Sequence, residues 1–111
     1  MSFAYYIASD KIGEQDSKLG AILMQSFFNK LIEAGELPAY ILLVERGVRL
    51  LLAEFPAFEA LRALEDKGVE ILACATCLEF YDIKDKIIAG KISNMPSIIE
   101  IMHKVEKVIR L

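Results

Sequence analysis

Histidine and cysteine are scarce in this chain, with one of the first and two of the second. A tetrahedral structural zinc site needs four ligands, so C-A-T-C and His103 cannot supply one within a subunit. Pairs pooled from two subunits would have to meet across a symmetry axis. No metal and no cofactor is therefore expected, and His103, set among Met102, Lys104 and Val105, reads as an ordinary helix residue. Two cysteines three positions apart also cannot staple a domain, which excludes a disulfide framework. Basic residues show no clustering: 13 Lys and Arg are scattered among 16 Asp and Glu, for a net charge of −3, so a nucleic-acid partner is excluded. Apolar runs such as residues 41–44 and 48–53, the latter with Arg49 inside, fall far short of the roughly 20 residues that span a bilayer. Residues 1–8 have no basic region and only a short apolar stretch, so neither export nor a membrane is indicated and the cytoplasm is expected. Repeats, low-complexity tracts and linkers are absent, and residues 1–111 read as one domain.

What is abundant is apolar side chain, at 55% of residues, above the usual share for a soluble domain. A chain of this size has too little interior to hide that much surface, so part of it is expected to face a second copy of the chain. The expected state is a homo-oligomer, between dimer and hexamer.

Residues 3–9 read as a first strand and 10–16 as a polar loop, with Asp10, Glu14 and Asp16 taken as solvated. A helix follows over 17–34, ended by Gly35. Leu19, Ile22, Leu23, Phe27 and Leu31 form its inward stripe, and Met24, Phe28 and Ile32 are a surplus assigned to a subunit contact. The non-alternating run Y-I-L-L-V reads as a strand buried on both faces, broken by Gly47. The apolar segment V-R-L-L-L-A-E-F after it is a second candidate contact. Pro56 opens a helix with Phe58, Leu61 and Leu64 inward, and Gly68 closes it before the strand V-E-I-L-A-C. A helix over 78–89, a small strand K-I-S, a helix from Pro96 with Ile98, Ile101, Met102 and Val105 inward, and a last strand K-V-I-R-L complete the reading.

Strands alternating with helices mean an α/β fold with a parallel sheet, whose ligands gather beyond the carboxyl ends of the strands. Those ends carry Ser9, Asp10 and Lys11; Glu45, Arg46 and Gly47; the C-A-T-C segment; and Ser93, Asn94 and Met95. Cys74 falls at the end of the third strand and Cys77 at the start of a helix. The loop between them is expected to present N–H groups and a positive helix end, both favouring a thiolate. The plain alternative is a buried small hydrophobe at Cys74 and an inert helix residue at Cys77. Lys11 and Arg46 are candidates to steer an anion or stabilise the thiolate, against the reading of solvated loop cations. Thr76 and Asn94 are candidate site residues or simple helix caps.

The runs S-D-K-I-G-E-Q-D-S-K-L-G-A-I-L-M, G-V-E-I-L-A-C-A-T-C-L-E-F-Y and G-K-I-S-N-M together resemble the DsrE-like sulfur-relay family, and within it the DsrE-like domain of YedF-type proteins associated with selenium metabolism. The resemblance runs from Ser9 to the final K-V-I-R-L and is most specific at C-x-T-C-L-x-F-Y with the downstream N-M. It implies a three-layer α/β/α fold with a five-stranded, mainly parallel sheet, assembly into oligomers, and sulfur held as a cysteine persulfide. By that resemblance Cys74 is the working thiol, and Cys77 a second one that releases the sulfur through a Cys74–Cys77 disulfide or carries it instead. The chain departs from the pattern at Ala75, where Gly is usual, and at Glu45-Arg46, where Asn and a small residue are usual; a smaller, more charged pocket and a different substrate follow. YedF-type chains also carry a TusA-like domain, so a donor cysteine is expected from a TusA-like or other partner. The resulting expectation is an intracellular sulfur carrier or sulfurtransferase-like protein acting through Cys74 and Cys77. A non-catalytic oligomeric or small-ligand-binding module with vestigial cysteines, and a dithiol redox protein, are the alternatives.

Overall fold

A computed structural model describes residues 2–111. Its elements in chain order are β1 (Phe3–Ile7), α1 (Ser17–Leu31), β2 (Tyr40–Leu43), a 3₁₀ helix (Glu45–Leu51), α2 (Ala57–Asp66), β3 (Glu70–Cys74), α3 (Ala75–Phe80), β4 (Lys91–Ser93), α4 (Met95–Lys104) and β5 (Lys107–Arg110). The five strands form one sheet in the order β4-β3-β2-β1-β5, and every neighbouring pair is parallel. The α/β expectation holds, with the sheet wholly rather than mainly parallel.

Alternation along the central strands sorts the core into two layers. Ile41, Leu43, Ile71 and Ala73 face Met24, Phe28, Leu61 and Leu64 on one side. Leu42, Val44, Leu72 and Cys74 face Ile98 and Val105 on the other. Burial on both faces explains why the Y-I-L-L-V run does not alternate in polarity. Each fully buried Leu, Ile or Phe contributes about 1.5–3 kcal/mol relative to exposure.

Several local expectations are corrected. In α1 the buried residues are Gly20, Met24, Phe28 and Leu31, whereas Leu19, Ile22 and Leu23 are exposed. Leu31 is inward as expected and Phe27 packs against the core, but the helix otherwise meets the sheet through Met24 and Phe28, two residues assigned to the surplus, and it stops at Leu31, before Gly35. The segment after Gly47 is not surplus surface, because Val48, Leu50, Leu51 and Leu52 all lie in the first core layer. In α2, Leu61 and Leu64 are buried together with Ala57 and Ala60, while Phe58 is only half-buried. The helix expected over 78–89 is six residues long and starts earlier, at Ala75. Asp82 takes the left-handed region at φ 56°, and the Ile83 N–H bonds back to the Leu78 carbonyl. That turn buries Ile83, which a continued helix would not do. Asp10, expected in solvent, is 4% exposed.

Gly68 closes α2 at φ +100°, the left-handed conformation expected of a helix-ending glycine. At Gly47 the requirement is space: the residue is buried, and a methyl group there would overlap the Ile7 carbonyl, a backbone group that cannot swing away. Gly47→Ala should lower the urea midpoint by the equivalent of about 2–3 kcal/mol, with Gly35→Ala, where no atom lies within 4 Å of the new carbon, leaving it nearly unchanged. Equal midpoints for the two variants would refute this account of Gly47.

Candidate functional site

The ends of β1, β2 and β3 bring the site together. Cys74 is the last residue of β3 and caps α3, which starts at the very next residue. The loop expected between the two cysteines is therefore a turn of helix, and the three-residue spacing sets both sulfurs on one side of it. Both are free thiols. Their access differs. Cys74 points into the second core layer at 2% exposure, while Cys77 is half-buried and lines a pocket of about 260 Å³ with Glu45, Thr76, Phe80 and Tyr81. Phe80 stands at its rim, 81% exposed.

Where β2 ends, Val44 is extended and Glu45 turns into the left-handed region at φ 50°. For a residue with a side chain that conformation costs roughly 1–2 kcal/mol. It aims the Glu45 N–H at Cys77, to whose Sγ it donates at 3.1 Å. The Glu45 side chain is held as well, its Oε1 accepting from the Tyr81 hydroxyl at 2.8 Å. Behind Tyr81, the Arg49 guanidinium lies 6.0 Å from that ring's centroid and 5.4 Å from that of Phe55. The same guanidinium is 3.8 Å from Asp10 Oδ2, as is Arg46 Nε. The other Asp10 oxygen, Oδ1, is buried with no hydrogen-bond partner.

The expected lowering of the thiol is not found at Cys77, which is pushed above the ordinary cysteine value. Burial is the largest cause; the Glu45 N–H, next in size, works in the opposite direction, and the neighbouring Cys74 thiol and the Glu45 carboxylate add to the rise. Tyr81 is also raised, chiefly because its proton is held on Glu45.

Among the other sequence candidates, Arg46 turns to Asp10, and the Lys11 N–H donates to Ser9 Oγ at 3.1 Å. Thr76 is in the pocket wall rather than capping α3, which has no side-chain cap. Asn94 is a cap: its Oδ1 accepts from the Ser97 N–H. His103 is an exposed residue in the last turn of α4. Among the described residues, no three His, Cys, Asp or Glu side chains are grouped to hold a metal ion, and no helix is long and apolar enough to cross a membrane. Sequence reasoning missed Tyr81, although it lies four residues beyond Cys77, one helical turn away; for the Glu45 conformation and the Asp10 burial there was no local signal.

A family model described as the DsrE/DsrF-like family matches residues 1–111. The chain belongs to the DsrE/DsrF-like family. Membership implies a role of the sulfur-relay type. Two solved structures share the fold of this DsrE/DsrF-like protein. One is the YchN protein of E. coli, at 16% identity and a TM-score of 0.69, with 100% of each chain covered. The other is MTH1491 of Methanobacterium thermoautotrophicum, described as a protein of unknown function, at 17% identity and a TM-score of 0.71, covering 99% of this chain and 98% of that one. Those likenesses carry the fold alone, and they do not single out YedF-type domains. Among curated proteins none matches significantly.

Alkylation with iodoacetamide followed by peptide mapping should modify Cys77 well before Cys74, because only Cys77 opens on the pocket. The Cys77 rate should climb with pH around a midpoint above that of a free cysteine peptide. Glu45→Gln should lower the midpoint, since it removes a negative charge and keeps the backbone N–H. A midpoint at or below that of the peptide would contradict the electrostatics described.

Proposed function

We propose that this protein is an intracellular sulfur carrier that holds sulfane sulfur as a persulfide on the Cys74–Cys77 pair. The observation that carries the reading is the placement of Cys77 Sγ, in the pocket wall and under the Glu45 N–H. The resemblance ranks Cys74 first, but its burial favours Cys77 as the thiol that meets the donor. In loading, the Cys77 thiolate attacks the outer sulfur of a donor persulfide. A new S–S bond forms, the donor S–S bond breaks, and its electron pair leaves on the donor thiolate, which takes up a proton. Unloading has two routes. An acceptor thiolate attacks the outer sulfur, or Cys74 attacks Cys77 Sγ and expels hydrosulfide; the resulting disulfide then needs a thiol reductant to reset it. A selenium cargo would use the same two steps.

The partners in this reading are a TusA-like or other persulfide protein and a second copy of the chain. Exposed Leu19, Ile22 and Leu23 on α1 support the latter, and a monomer by light scattering at all concentrations would remove it. A non-catalytic ligand-binding module is the competing reading, favoured by the raised Cys77 thiol.

Mass spectrometry after incubation with a persulfide donor separates the two. One added sulfur atom should remain in Cys74→Ser and disappear in Cys77→Ser. An adduct lost only in Cys74→Ser would reverse the roles of the thiols, and no adduct on either would leave the binding module.

A further inference from the structure

Of the five residues lining the Cys77 pocket, Glu45 alone carries a charge. Several features keep that charge in place. Its backbone is tied to Cys77 Sγ through the N–H at 3.1 Å, and its carboxylate accepts the Tyr81 hydroxyl at 2.8 Å. Arg46 and Arg49 close no ion pair to it, both pairing with the buried carboxylate of Asp10 instead, although both lie near enough to Tyr81 for their charges to act on its hydroxyl. The rest of the wall is mostly hydrocarbon and aromatic ring, from Phe80, Tyr81 and Thr76. Glu45 is itself solvent-exposed, so its charge acts on an entering ion at short range and is screened by salt.

We propose that Glu45 is a charge filter over Cys77, so that the pocket admits neutral or cationic sulfur compounds and turns away small anions such as thiosulfate. Tyr81 is the positioning residue, keeping the carboxylate in the pocket. This deepens the sulfur-carrier reading by naming the class of donor, and as a donor preference it rests on that reading. The filter itself is a property of the pocket and is measured without any sulfur loading.

The probes are two methanethiosulfonates of similar shape, one bearing a trimethylammonioethyl group and one a sulfonatoethyl group. With each, the Cys77 thiolate attacks the thiosulfonate sulfur, the mixed disulfide forms, and methanesulfinate leaves with the electron pair. Rates at Cys77 are read by peptide mass mapping of the full chain, and the cation-to-anion ratio is divided by that of a simple thiol such as mercaptoethanol. A change in the thiol's acidity affects both rates equally and cancels in the ratio. In the unaltered protein the normalised ratio should favour the cation by about tenfold, and in Glu45→Gln it should fall most of the way to one. Raising the salt concentration should compress the ratio in the unaltered protein, which tests the filter without any substitution. A ratio near one, or one that persists in Glu45→Gln and in high salt, overturns the proposal whether or not Cys77 accepts sulfur. Absence of a sulfur adduct with this ratio intact would overturn the carrier reading alone.

Discussion

The meeting of the Ile7 carbonyl with the chain leaving β2 is the constraint on which the rest of the site depends. That carbonyl accepts the Val44 N–H at 3.1 Å, and Gly47 passes so close to it that no side chain fits between. Between those two points the chain has to reverse, and Glu45 takes the left-handed conformation in the turn. The strained residue is thus held from both sides by β1 and β2, which is how such conformations persist. Its N–H lands on Cys77, 32 residues away. The 3₁₀ helix that follows carries Arg46 and Arg49 back over the end of β1, where Asp10 receives them.

Charge at this edge of the sheet is divided between a buried part and a pocket part. Asp10 holds both arginines and still leaves one oxygen without a partner, a costly arrangement for a carboxylate so withdrawn from water. Its effect is to hold the arginines beside a second carboxylate, Glu45, without closing an ion pair to it. Arg49 also lies over the Phe55 and Tyr81 rings, so one cation links the buried acid to the residue that holds the pocket acid. The thiol beside Glu45 stays protonated further up the pH scale than a free one. A reactive anion at Cys77 therefore depends on the backbone N–H and on whatever enters the pocket, since no permanent cation neighbours the sulfur in the pocket wall.

Legibility in the sequence followed the range of the interactions involved. The helix end at Gly68, Pro96 in the first turn of α4 and the doubly buried β2 depend on neighbours a few residues away, and all were readable, whereas the sequence left Asn94 open between a cap and a site residue. The inward face of α1 was not. Apolar residues at 19, 22, 23, 24, 27, 28, 31 and 32 cover so much of its circumference that periodicity allows more than one solution; packing on the sheet and α2 selects Met24 and Phe28. The helix expected over 78–89 failed for a similar reason, because burial of Ile83 outweighs the local preference for continuing the turn.

Residue types and spacing alone determined an α/β chain with a parallel sheet and a thiol pair at the carboxyl ends of the strands. Those conclusions rest on period and on local backbone chemistry, both of which are present in a one-dimensional string. Tertiary structure decided which thiol meets the pocket, that Glu45 rather than Lys11 or Arg46 lies beside it, and that Asp10 is buried. Each of these depends on contacts between strand ends far apart in the chain, where packing and close backbone approach set side-chain access and no nearby residue records the outcome.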